Sequence, residues 1–193
     1  EREAVETMTE LIEYYKGIFT ILSSCASRQL EEVTFRRTVI PVQELLDAAG
    51  KYFKKLMKNR SERIELEIEP MEAKVIGDVN QLRFLLENLI DEALTVREDG
   101  VIRLQARKDN EYIRFLFTDT RREKSVEELN QLFYPNLARM TSGEKGELRG
   151  TEYLVCKQII RDHDEFAGRR GCRINAEPAE GGGFTVYFTI PRR

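Results

Sequence analysis

The stretch from Asp78 to Leu94 constrains the fold more than any other part of the chain. Leu82, Leu85, Leu86, Leu89, Ile90 and Ala93 recur within it at helical spacing, so one face of a helix must be covered by a core. Asp78 stands where an N-cap belongs, and its carboxylate can accept from the first free backbone N–H groups. Most amphipathic helices are core elements only, so function has to be sought in what surrounds this one.

Around that helix the pattern alternates between periods of two and 3.6. Residues 3 to 31 contain no proline, and Met8, Leu11, Ile12, Tyr15, Ile18, Phe19, Leu22 and Cys25 form a seam close to a heptad repeat. This long helix either meets a partner helix or folds back on its own domain. Val33 to Ile40 reads as a strand ended by Pro41. Val42 to about Lys58 reads as a second amphipathic helix burying Leu45, Leu46, Ala49, Phe53 and Leu56. Its basic end, Lys54, Lys55, Lys58 and Arg60, suits a helix C-terminus rather than a binding patch. Ile64–Ile68 alternates strictly, and Ala73–Ile76 is a short strand leading into the Asp78 helix.

Val101–Arg107 and Tyr112–Thr118 alternate as two strands joined by a tight hairpin at Asp109-Asn110. Ser125 and Glu128 have capping-box spacing at the head of a short helix reaching Leu132. Asn136 to Arg149 reads as a mobile loop, and Thr151 to Asp162 as a helix burying Leu154, Val155, Ile159 and Ile160. Cys172–Glu177 and Phe184–Ile190 close the chain as strands across Gly181-Gly182-Gly183.

Composition removes several function classes. Thirty-one Lys and Arg against 34 Asp and Glu leave a net charge of -3, which offers no electrostatic case for nucleic acid. No apolar run approaches the length of a membrane span, so no direct membrane contact is expected of these 193 residues. The sequence opens on Glu1, so a piece of a longer chain is expected, cytoplasmic in location and with any membrane attachment decided upstream. Cys25, Cys156 and Cys172 are scattered among apolar neighbours and read as buried free thiols of a reducing compartment. The single histidine, His163, excludes a His-rich metal site and is expected to be structural and partly exposed.

Asp78, Leu82, Leu85, Asn88, Leu89, Ile90 and Ala93, in that order, resemble the asparagine-box helix of the sensor histidine kinase ATP-binding domain. Four further stretches resemble parts of the same domain. Phe117-Thr118-Asp119-Thr120 is similar to its strand ending in an adenine-recognising aspartate, and Leu129–Pro135 with Phe133 to its phenylalanine box. Gly150 with the helix Val155–His163 is similar to its second glycine box, and Gly183–Pro191 to its closing strand. The resemblance implies an α+β fold, a two-layer α/β sandwich over residues 33–193. It is preceded by an N-terminal helix over residues 1–32 that resembles part of a dimerisation hairpin. His163 matches a histidine with no phosphoacceptor role, and residues 1–32 contain no histidine.

The site departs from the family pattern. Arg121 and Glu123 stand where the family has glycines after the aspartate, Glu152 and Tyr153 follow Gly150 in place of glycine and leucine, and Glu92 replaces the magnesium asparagine. Glycines at phosphate-binding turns admit positive φ and direct backbone N–H contact, and a long charged side chain obstructs both. Like charges at about 5 Å and an effective dielectric near 20 repel by on the order of 3 kcal/mol before screening. The first expectation is therefore a degenerate, catalytically inactive histidine kinase-like module for signalling or scaffolding, with no cofactor. It would dimerise through its N-terminal helix and contact a signalling partner protein. The alternative is an active ATP-dependent sensor histidine kinase of a two-component system. In that case Asn88, Glu92, Asp119 and Gly150 would bind nucleotide, Glu92 would ligate Mg²⁺, and Arg121 or Arg122 would contact phosphates.

Overall fold

The computed structural model describes residues 35–134, 141–142, 148–149 and 151–193. The N-terminal helix with its seam and Cys25, the start of the Val33 strand, most of the Asn136–Arg149 loop, and Gly150 lie outside the described residues. The chain divides into two compact units. One comprises Phe35–Tyr134 with Glu152–Arg193. In the other, β6 (Thr141–Ser142) and β7 (Leu148–Arg149) pair antiparallel within the stretch expected to be a loop.

The larger unit runs β1 (Thr38–Pro41), α1 (Val42–Met57), β2 (Ile64–Ile68), β3 (Lys74–Gly77) and α2 (Val79–Ala93). It continues as β4 (Gly100–Asp109), β5 (Tyr112–Asp119), α3 (Val126–Asn130), α4 (Glu152–Phe166), β8 (Ile174–Pro178) and β9 (Phe184–Pro191). Five strands form one sheet in the order β2-β4-β5-β9-β8, with β2 parallel to β4 and the other neighbours antiparallel. The β2-to-β4 connection carries β3 and α2, enough chain for a parallel crossover. Strands β1 and β3 make a separate antiparallel pair.

Alternation along the strands sorts the two faces. Ile102, Leu104, Ala106, Ile113, Phe115, Phe117, Val186, Phe188 and Ile190 point into one core with Leu45, Leu46 and Phe53 of α1 and the apolar stripes of α2 and α4. Phe115 and Phe188 stack at 4.8 Å between centroids. Each such side chain withdrawn from water contributes roughly 1.5–3 kcal/mol. The opposite face carries Glu65, Glu67, Arg103 and Arg107, all exposed, with Arg103 Nε 2.7 Å from Glu67. This is the expected mixed α/β sandwich: helices cover one face of the sheet and charged side chains line the other.

Several local expectations are corrected. The first strand begins at Thr38, and Phe35–Arg37 lie outside it, with Arg36 N–H held by Asp78 Oδ2 at 2.8 Å. The hairpin turns on Asn110-Glu111, because Asp109 still pairs with Tyr112 and Asn110 takes the positive φ of 53° that asparagine tolerates. Leu56 is only half-buried in the last turn of α1. The last helix runs four residues past Asp162, and Tyr153 and Cys156 take its inner face while Leu154 and Val155 are half-buried. The short helix stops at Asn130, with the Ser125–Glu128 capping box formed in both directions. Cys156 and Cys172 are free and buried, and burial pushes the Cys172 thiol up to about 12, as an inert thiol requires. Among the described residues no helix is long and apolar enough to cross a membrane.

Candidate functional site

Both ends of α2 hold a buried aspartate. At its start, Asp78 Oδ1 accepts from Asn80 N–H at 2.9 Å and Gln81 N–H at 3.1 Å, the N-cap expected from the sequence. His163, expected to be partly exposed, has no exposed surface. It sits one turn before the end of α4 and faces inward. Its Nδ1 donates to Ile159 O at 2.8 Å and its Nε2 accepts from Asp78 N–H at 3.1 Å, so one neutral tautomer satisfies both. Phe35 meets the ring edge-on at 4.9 Å. A Cβ on residue 77 would lie 2.7 Å from the imidazole, which is why glycine precedes Asp78. Burial holds the His163 pKa below its ordinary value.

At the far end of α2, β5 delivers Asp119 with 1% of its surface exposed. Arg121, two residues on, folds its side chain back over that carboxylate, and that side chain is 1% exposed. Its Nε donates to Asp119 Oδ1 at 2.9 Å and its Nη2 to Oδ2 at 2.9 Å, a two-pronged pair. The same Nη2 donates to Ala93 O, the last residue of α2, at 2.7 Å, and Nη1 donates to Glu98 O at 3.2 Å. Arg121 N–H closes the turn onto Asp119 Oδ1 at 3.0 Å. The arginine stem lies on Gly100, whose φ is +144° and whose added Cβ would come within 2.6 Å of Arg121 Cγ.

Arg122 covers the remaining side. Its Nε lies 3.3 Å from Asp119 Oδ2, its Nη1 3.6 Å from Glu92 Oε1, and its guanidinium 5.6 Å from the centre of the Phe184 ring. Its Nη2 is buried with no hydrogen-bond partner among the described residues. Burial pushes the Glu92 carboxyl up, Glu152 adds to that shift, and Arg122 opposes it. Glu152 lies in the first turn of α4, half-buried, and its charge is also felt at Asp91 and Cys156. Tyr153 is buried beside Phe133, ring edge to ring face at 5.8 Å.

Of the residues singled out in the sequence, Glu92 and Asp119 are brought together through Arg122. Asn88 lies one turn earlier on α2, 8% exposed, with its amide donating to Phe84 O at 2.7 Å. Gly150 is outside the described residues. The arginines offered as phosphate contacts both turn onto Asp119. The order Asp119-Thr120-Arg121 at a strand end allows a side chain two residues on to reach back across the turn, but does not by itself decide that it does so.

Chemically, the site presents a carboxylate already holding a guanidinium, a second arginine bridging it to Glu92, and flanking carboxylates at Asp91 and Glu152. Among the described residues there is no cluster of three or more His, Cys, Asp or Glu arranged to hold a metal ion.

Residues 77–193 match the family model described as histidine kinase-, DNA gyrase B-, and HSP90-like ATPase. None of the curated proteins matches the sequence. The fold matches the catalytic domain of the histidine kinase ThkA at TM-score 0.63 and 21% identity, covering 81% of this chain and 96% of that one. A mycobacterial sensor histidine kinase, MprB, matches at TM-score 0.61 and 19% identity, over 82% of this chain and 99% of that one. ThkA in complex with the response regulator TrrA matches at TM-score 0.63 and 19% identity, over 97% of this chain and 52% of that one.

Proposed function

This chain belongs to the histidine kinase-, DNA gyrase B- and HSP90-like ATPase family, and we propose that within it the chain is a signalling or scaffolding module that binds no nucleotide. One observation carries the proposal: both oxygens of Asp119, the residue that resembles the adenine-recognising aspartate, are engaged by Arg121 in a pair hidden from water. A purine would have to break that pair and leave a buried guanidinium uncompensated, at about 3–5 kcal/mol, before making any contact of its own. The residues present therefore do not fit the adenine nucleotide and Mg²⁺ of the family, and no catalytic step is derived through them. Glu92 in place of an asparagine and Glu152 at the head of α4 support the same conclusion, since both add negative charge where a triphosphate would lie.

The work of such a module lies in protein contacts. ThkA was captured with a response regulator, and we extend to this chain a protein partner of the two-component type. We further propose that residues 1–32 form a dimerisation helix joined to a histidine kinase ATPase-like domain over 33–193. The buried free thiols Cys156 and Cys172 support a cytoplasmic setting. An active ATP-dependent kinase is the second reading, with Asn88, Glu92, Asp119 and Gly150 as its nucleotide residues. It is favoured by Arg122 Nη2, buried with no hydrogen-bond partner among the described residues, a donor an anion would satisfy.

Calorimetric titration of the intact protein with Mg²⁺ and a non-hydrolysable ATP analogue separates the two readings. No binding below about millimolar is expected, and a micromolar dissociation constant, worth about 8 kcal/mol, overturns the proposal.

A further inference from the structure

The hydrogen-bond partners of the Arg121 guanidinium are all acceptors, and the Arg122 guanidinium covers the remaining side of Asp119. Asp119 Oδ1 and Oδ2, Ala93 O and Glu98 O receive from it, at distances from 2.7 to 3.2 Å. Gly100 leaves the space through which the stem enters. A purine edge alternates donors with ring-nitrogen acceptors, so it would set lone pairs against these oxygens. An ammonium is a point charge and cannot address several of them in one plane. A planar cation with N–H groups on every edge matches all of them.

We infer that Arg121 is an internal ligand, its guanidinium filling a pocket of the chain whose chemistry selects planar, donor-rich cations of the guanidinium and amidinium class. The inference rests on the nucleotide-free reading of the same site and adds to it what the pocket holds and what it would take if emptied. The charge of Asp119 is neutralised from within the chain, and the C-terminal end of α2, through Ala93 O, is tied to the end of β5 by one side chain.

The test is Arg121→Gly in the full chain, which removes the side chain and leaves the walls, with thermal melting as the readout. The variant is expected to melt below wild type. Methylguanidinium at low millimolar concentration should raise its melting temperature. Methylammonium at the same ionic strength, and Mg²⁺ with an ATP analogue, should not, and none of the three should move the wild type. At ten times its dissociation constant the probe multiplies the variant's folding constant about elevenfold. An unchanged melting temperature in the variant, or equal rescue by methylammonium, overturns the internal-ligand assignment and leaves the nucleotide-free reading standing. Nucleotide binding to wild type removes that reading itself. If the variant does not fold, the Arg121 Nε–H resonance of the ¹⁵N-labelled wild type decides. Slow exchange with water is expected, and exchange as fast as that of exposed arginines overturns the assignment.

Discussion

At the start of α2 the Asp78 carboxylate takes its hydrogen bonds from the backbone N–H groups of Asn80, Gln81 and Arg36, and the histidine beside it is neutral. At the other end Asp119 takes most of its hydrogen bonds from guanidinium groups, so a charge is met by a charge. The first solution uses groups that any sequence with this backbone supplies. The second depends on the side chains at 121 and 122. The chemistry of the far end can therefore vary while the backbone of the sandwich stays the same.

The two ends should break differently. Arg121→Met should be the most damaging single change, because Asp119 would then be buried without its partner, at about 3–5 kcal/mol. The companion double variant Asp119→Leu/Arg121→Met removes both charges and should recover most of that loss. Denaturant titration of the pair measures it, and a double variant as unstable as the single would mean that the pair matters for shape rather than charge. At the other end Asp78→Ala removes only a cap and one tertiary hydrogen bond, so a loss of about 1–2 kcal/mol is expected in the same titration.

Protonation sharpens the contrast. The folded pKa of His163 lies below its unfolded value near 6.5, so in the window between them the unfolded chain binds the extra proton. Stability should accordingly fall as pH drops below about 6.5, with a slope of at most about 1.4 kcal/mol per pH unit from this residue. Unfolding curves collected from pH 7.5 to 5.5 check it, and a His163→Gln background should flatten that part of the profile. Glu92 behaves oppositely. Its folded pKa is raised above about 4.5, so its ionisation weakens the fold as pH rises through the folded value. Glu92→Gln should stabilise the fold slightly at neutral pH, by under about 1 kcal/mol, and the gain, read by thermal melting, should vanish below about pH 4.5.

Much of this was legible in the sequence, for reasons that differ by region. The helix from Val79 to Ala93 and its Asp78 cap could be read directly, because six apolar residues at helical spacing and an acidic residue at the N-cap point to one structure. The strand from Ile64 to Ile68 and the Ser125–Glu128 box were legible for the same reason: period and cap are local properties. The full burial of His163 was not, since it depends on a contact with Asp78, 85 residues away in sequence. Nor was the destination of Arg121. The sequence shows that a glycine position carries a long cation, but whether that cation faces outward to an anion or inward to Asp119 is decided by Ala93 O, Glu98 O and Gly100, which tertiary folding brings to the same place.

If Asp119 is held by the chain's own arginine and not left open for a purine, crystals of the intact protein grown with Mg²⁺ and a large excess of an ATP analogue should reveal it. Density is expected for the Arg121 guanidinium against both oxygens of Asp119, with no nucleotide beside it. A purine ring hydrogen-bonded to Asp119, with Arg121 swung out toward the solvent or the phosphates, would contradict it.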